Sequence, residues 1–442
     1  MITQCPITPG SSFLYEFAAT EQAGTFWYHS HLQAQYCDGL RGPFIVYDPE
    51  DPHADLYDVD DESTILTLGD WYHLPSPEIH SKPTSDSTLI NGKGRSVGNS
   101  TVPLHVLEVQ QGQRYRIRLL NVACDPFFDF HIDGHPFTII EVDGENTEPL
   151  VVDSIRIFAG QRYSIVINAN QTVNNYWIRA NPNNETAFSG FDNGRNSAIL
   201  RYVGAPIQEP TQGEAPLVPL TSPFHEADLH ALEDASAPGI HLPGAADHNI
   251  TLEFGLDVAN LVFTVNGTTF HPPSVPILLQ ILSGAHTAEE LLPSELVHVL
   301  GRNKVVELTM LPMELAGPHP MHLHGHAFHV VKSAGSDTYN YVNPVRRDTV
   351  ELGSKPGDNV VIRFRTDNPG PWFLHCHIDW HLKLGFAAVF AESPAAITEA
   401  HNAPSAWDNL CPAYEAAQQQ RVATPGSLKI TTANRLLPIR ID

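Results

Sequence analysis

The sequence predicts an all-β protein made of three β-sandwich units, the first of them incomplete. Three observations point there. Pro at 36 and Gly at 30 are spread along the 442 residues, which suits many short strands joined by turns rather than long helices. A Gly, two polar residues and then alternating apolar positions recur at Pro9-Gly-Ser-Ser-Phe-Leu-Tyr-Glu-Phe17, Gly112-Gln-Arg-Tyr-Arg-Ile-Arg-Leu119, Gly160-Gln-Arg-Tyr-Ser-Ile-Val-Ile167 and Gly357-Asp-Asn-Val-Val-Ile-Arg-Phe364. That pattern is a turn entering a half-buried strand. A Trp-bearing strand then comes after three of the four at similar distance: Trp27 is 17 residues after Gly10, Trp177 is 17 after Gly160, and Trp372 is 15 after Gly357. One sandwich plan is repeated three times.

Composition sets the boundaries. Residues 1–50 form the first unit, ending near Tyr47-Asp-Pro-Glu-Asp-Pro52; 51–222 form the second; 223–442 form the third together with a C-terminal tail. The Pro-, Ala- and acid-rich stretch from Ala205 to His248 reads as a long surface connection with a short helix around Glu226–Asp234. Fifty residues supply only the latter part of a sandwich.

A net charge of −25 argues against nucleic acid as a partner. No run of eighteen apolar residues is present, so no membrane span is expected. Asn-x-Ser/Thr sequons at Asn99, Asn170, Asn184, Asn249 and Asn266 fit a secreted, extracellular glycoprotein. The chain opens Met-Ile-Thr-Gln-Cys-Pro-Ile without a signal peptide, so a preceding segment is expected. Of the five cysteines (Cys5, Cys37, Cys124, Cys376, Cys411), four remain for two disulfides if Cys376 holds a metal.

The chemistry concentrates in Gly370-Pro-Trp-Phe-Leu-His-Cys-His-Ile-Asp-Trp-His381, which places His375, Cys376, His377 and His381 within seven residues. Two imidazoles and one thiolate form the blue-copper ligand set. In an extended segment, Cys376 points to one face while His375 and His377 point to the other. One strand would then wire two metal sites together. His29-Ser-His31 puts two more imidazoles on one face of the first Trp strand, and His319-Pro-Met-His322-Leu-His324-Gly-His326 offers another four. His322, His324 and His326 would alternate onto one side; His326 is set aside as a packing residue. The corresponding strand of the middle unit continues Ile178-Arg179-Ala180 and carries no ligand. Metal should therefore sit between the first and third units, with the second as spacer and pocket wall. So many ligands exceed one mononuclear site and imply several coppers.

The stretches Gly24-Thr-Phe-Trp-Tyr-His-Ser-His-Leu-Gln-Ala-Gln-Tyr-Cys-Asp-Gly-Leu-Arg-Gly42, His319–His326 and His375–Phe386 resemble three of the four copper signatures of multicopper oxidases, and the chain as a whole resembles basidiomycete-type fungal laccases. The resemblance implies three cupredoxin-like Greek-key domains and four coppers: one type 1, one type 2 and two type 3. It implies that His319, Cys376 and His381 hold the type 1 copper, His322 the type 2, His29 and His377 one type 3, and His31, His324 and His375 the other. Phe386 falls at the axial position of the type 1 site, where lack of a donor raises the potential, and Ile378 flanks the opposite side. Asp125 matches the carboxylate that holds a phenol hydroxyl, and oxidation makes a phenol acidic, so a nearby base helps its proton leave. The implied disulfides are Cys5–Cys411 and Cys37–Cys124, each worth roughly 2–4 kcal/mol.

The activity implied by the resemblance is that of a laccase: one-electron oxidation of phenols and aromatic amines coupled to reduction of dioxygen to water, in a monomer active in lignin degradation. The chain departs from the resemblance in one respect. The family uses ten histidines and this chain supplies eight, because a His-Trp-His-Gly segment expected upstream of Gln4-Cys-Pro-Ile7 does not occur in it. The type 2 site and one type 3 site each lack a ligand. Two alternatives therefore stand beside laccase: an oxidase-deficient variant holding only type 1 copper, and a metal-ion oxidase of ferroxidase type.

Overall fold

The computed structural model describes residues 2–19, 22–80, 82–183, 191, 193–211, 224–314, 317–400 and 403–423. Two complete sandwiches dominate. In the second unit, a six-stranded sheet runs in the order Ser87–Ile90, Ile65–Trp71, Arg114–Asn121, Arg162–Asn168, Phe137–Val142, Glu145–Val152. A five-stranded sheet in the order Ile155–Ile157, Phe128–Ile132, Asn175–Pro182, Ser197–Tyr202, Val106–Val109 completes it. In the third unit, one five-stranded sheet is centred on Val360–Arg365 and another on Gly370–Cys376, which lies between Ala387–Glu392 and His319–Leu323. A small hairpin, Phe254–Asp257 with Val262–Val265, packs beside the second of these. Among the described residues the main apolar cluster has members from every unit.

The first unit is reduced to a two-stranded antiparallel sheet, Gly24–His29 with Arg41–Val46. The repeat pattern predicts a strand at Pro9–Phe17; the structure forms none there. Strands need neighbours, and among the described residues the two strands of this unit pair only with each other. Leu14 and Phe17 are 80% and 71% exposed as a result. The helix predicted near Glu226–Asp234 is only a 3-10 turn over Glu226–Asp228.

Polar contacts hold this reduced unit in place. Thr25 N–H donates to Glu141 Oε1 at 2.7 Å, and Arg116 and Arg118 surround that buried carboxylate. Burial pushes the Glu141 pKa up, but the two guanidinium groups and the hydrogen bonds outweigh it and leave the carboxylate below its ordinary range. Both implied disulfides form, Cys5–Cys411 with Cα atoms 5.0 Å apart and Cys37–Cys124 with 5.4 Å. The N-terminal segment is further pinned to the third unit, where Leu278 N–H donates to the Ile2 carbonyl and Trp407 Nε1 to the Thr3 carbonyl. Among the sequons, Asn99, Asn170, Asn249 and Asn266 are exposed, and Asn184 lies outside the described residues. No helix among the described residues is long and apolar enough to cross a membrane.

Two carboxyls at the junction of the second and third units give stability a pH dependence. Burial, opposed by Arg346, raises Glu145 to about 7, and burial together with Glu226 raises Glu351 to about 7. A carboxyl raised above its unfolded value binds its proton more tightly when folded, so the stability it confers is full below about pH 4.5 and lost as pH rises through 7. Calorimetry on Glu145→Gln/Glu351→Gln should give a higher Tm than the parent at pH 7.5 and an unchanged one at pH 4. Parallel Tm curves across that range would contradict it.

Candidate metal centre

The antiparallel pairing of His319–Leu323 with Gly370–Cys376 sets the site. Its register matches Met321 with Cys376, His322 with His375 and Leu323 with Leu374. His377 N–H extends the ladder to the Pro320 carbonyl at 2.7 Å. Directly opposed residues share a face, so His319 and Cys376 emerge on one side, and His322, His375 and His377 on the other.

On the first side, His319 Nδ1 and His381 Nδ1 are 3.1 Å apart, and Cys376 Sγ lies 3.7 and 3.8 Å from them. Ligand atoms about 2.0–2.3 Å from one ion have such separations. The helix Asp379–Lys383 brings His381 back onto the strand, and the His381 N–H donates to the Ile378 carbonyl at the turn. Cys376 and Phe386 are fully buried. Phe386 is stacked on Phe263 at 4.9 Å, and Phe263 also packs on the His381 ring at 4.5 Å. Ile378 is buried between the strand and the helix. Apolar side chains line this side, and Phe386 brings no donor atom to it. Burial pushes the Cys376 thiol far up and holds His381 well below its ordinary value. A coordinated metal would deprotonate that thiol outright.

On the second side, His31 Nε2 is 3.3 Å from His375 Nε2, and His324 Nε2 is 3.1 Å from the same atom. These three nitrogens form a second compact ligand group. His29, His322 and His377 stand beside it, with ring centres 5.4 Å apart for His29–His377 and 5.5 Å for His322–His377. His29 Nδ1 bonds the Ser30 carbonyl at 2.9 Å, His322 Nδ1 that of Asp348 at 2.9 Å, and His375 Nδ1 that of Cys376 at 2.9 Å. Each bond fixes the tautomer with Nε2 left for a metal. Burial drags His29 down to about 3, and burial with neighbouring imidazoles holds His324, His375 and His377 well below the ordinary value. These four rings are neutral near pH 6, the state that binds metal.

His326 leaves the set. Gly325, at φ +79°, turns the chain after His324, and a Cβ there would collide with the Trp372 indole. His326 Nε2 instead bonds Glu392 at 2.8 Å. Asp125 lies partly buried in the turn before Pro126, beside the helix bearing His381, because the Asp379 N–H donates to the Cys124 carbonyl at 2.9 Å. A third close group, Cys37, Cys124 and Asp379, is a disulfide beside a carboxylate and offers no thiolate. A cavity of about 890 Å³ opens against the His322 and His324 side of the cluster.

Sequence reasoning missed Arg162. All five of its N–H donors are used: Nε on the Thr25 carbonyl, Nη1 on Gly160 O and Asp348 Oδ1, Nη2 on Asp143 O and Asp348 Oδ2, all at 2.7–3.0 Å. It ties the His29 strand to the residue whose carbonyl orients His322. The tetrapeptide Gly-Gln-Arg-Tyr also occurs at Gly112–Tyr115, where Arg114 merely pairs with Asp58 at the surface. Local sequence carried no signal to separate the two.

Three family models described as multicopper oxidase match residues 1–51, 62–205 and 270–396. Laccase-1 of Pleurotus ostreatus is 58% identical over 415 residues, covering 94% of this chain and 77% of that protein. Laccase-2 of Trametes villosa is 57% identical, covering 94% and 79%. Among solved structures, the laccase from Botrytis aclada superposes with a TM-score of 0.80 at 30% identity, covering 96% of this chain and 79% of that one. Fet3p, described as a multicopper oxidase that functions in iron import, gives a TM-score of 0.80 at 29% identity, covering 94% and 81%. The chain belongs to the multicopper oxidase family.

Proposed function

We propose that the chain is a secreted laccase, oxidising phenols and aromatic amines one electron at a time and passing four electrons to dioxygen. Four phenols would each lose one electron and one proton, and dioxygen would take up four of each to give two waters. The units are assigned as residues 1–50, 51–222 and 223–442. The observation that carries the reading is the placement of Cys376 with His319 and His381 on one face, and of its neighbour His375 with His31 and His324 on the other. Copper held by these two groups would accept single electrons on the first side and deliver them to dioxygen on the second.

The chain's own residues supply the rest. His381 is partly exposed, and its ring edge would be where the substrate's electron enters. Asp125 takes the phenol proton as the electron departs. Phe386, Phe263 and Ile378 exclude water from the group that would hold the metal and add no donor atom to it, a setting that would favour the reduced form of a bound copper. Cys376 connects through its own backbone to His375 and His377, an unbroken covalent path between the two faces. His322, held by the Asp348 carbonyl, contributes to the type 2 site.

A specific observation supports one second reading. Among the described residues, His29, His322 and His377 do not close into a three-ligand group as His31, His324 and His375 do. A chain loaded only at His319, Cys376 and His381 would be blue and would accept electrons without reducing dioxygen.

Cys376→Ser should abolish the visible blue absorption while the Tm of the metal-free protein stays close to the parent; retained colour would refute the ligand assignment. Asp125→Asn should slow phenol oxidation by about 10²-fold and shift its pH profile while sparing a non-phenolic donor. Steady-state kinetics with both donors would show equal losses if Asp125 serves only the fold.

A further inference from the structure

Asp70 stands outside the metal groups yet touches three parts of the substrate side. It is buried, near the end of the strand Ile65–Trp71. Its Oδ1 accepts the Cys124 N–H at 2.9 Å and faces Arg41 Nη1 at 3.4 Å. Its Oδ2 accepts the Tyr72 hydroxyl at 2.9 Å, and that hydroxyl in turn accepts Trp380 Nε1 at 3.1 Å. Trp380 is the residue before His381. Arg41, ten residues beyond His31, also donates to the carbonyls of Asp70 and Val122.

Cys124 is therefore held at every group it offers. Its N–H goes to Asp70, its carbonyl to the Asp379 N–H, and its sulfur to Cys37. The next residue is Asp125, so the placement of that carboxylate is inherited from Cys124. A buried carboxylate bonding a backbone N–H makes a strong, charge-assisted hydrogen bond. Through Tyr72 and Trp380 the same carboxylate is registered against the helix carrying His381. Proton acceptor and electron acceptor are thus set relative to each other by one side chain.

We infer that Asp70 is a positioning residue for phenol oxidation, holding Asp125 at the distance from His381 at which electron and proton leave the same phenol. The inference rests on the reading of Asp125 as the phenol's base. Its consequence is selective, because a donor that loses only an electron does not need Asp125.

Anaerobic stopped-flow bleaching of the blue band in the copper-loaded chain tests it, with a substituted phenol and with ferrocyanide as donors. Asp70→Asn should slow reduction by the phenol about tenfold, since displacements on the order of 1 Å cost that much or more, move its pH profile as Asp125→Asn does, and leave the ferrocyanide rate unchanged. Tyr72→Phe keeps the Asp70–Cys124 bond but unhooks Asp70 from Trp380, and should give the same selective loss at smaller size. It serves as the test if Asp70→Asn does not fold. Equal slowing of both donors, or of neither, in a folded variant overturns the inference. If Asp125→Asn discriminates and Asp70→Asn does not, this inference alone falls; if Asp125→Asn fails to discriminate, the base assignment falls with it.

Discussion

Everything about the metal centre depends on one register, that of His319–Leu323 against Gly370–Cys376. Matching Met321 with Cys376 puts His319 and Cys376 on one face and His322, His375 and His377 on the other. A slip of one residue would exchange the faces, sending Cys376 toward the imidazole cluster and leaving His319 without a thiolate. The register is protected by burial on both sides. Leu323 and Leu374 pack into the core, and Ala387–Glu392 pairs the other edge of the central strand.

The second side of the centre is an interface, and a different force maintains it. His29 and His31 arrive from a two-stranded sheet too small to bury a core of its own. Its position is set by Thr25, whose N–H meets Glu141 and whose carbonyl meets Arg162. Arg162 then reaches Asp348 with both terminal nitrogens, and Asp348 orients His322 through its carbonyl. A buried ion pair contributes little net stability. What it contributes here is geometry, because the planar fork fixes three chain segments relative to one another.

Much of this was legible in the sequence. Alternation along His375-Cys376-His377 pointed to the two-faced strand, and the spacing of the Trp strands to the repeat. Tight doublets of histidine carried information that single histidines do not, and the cysteine arithmetic came out as two bridges with Cys376 left over. The failures share a cause: they concern groups defined by partners distant in sequence. Pro9–Phe17 has the strand pattern but, among the described residues, no neighbouring strand to pair with. Arg162 and Arg114 sit in identical tetrapeptides, and only tertiary contacts separate a junction from a surface pair. Asp70 has no local mark at all.

The strand Gly370–Cys376, with a ligand group on each face, should serve two metal sites. The most direct test is to load the full chain with copper, count the metal per chain, and record its near-ultraviolet and visible spectrum. More than one copper per chain is expected, with a near-ultraviolet shoulder beside the blue band. One copper per chain with the blue band alone would contradict it, leaving the face that carries His31, His324 and His375 without a metal to hold.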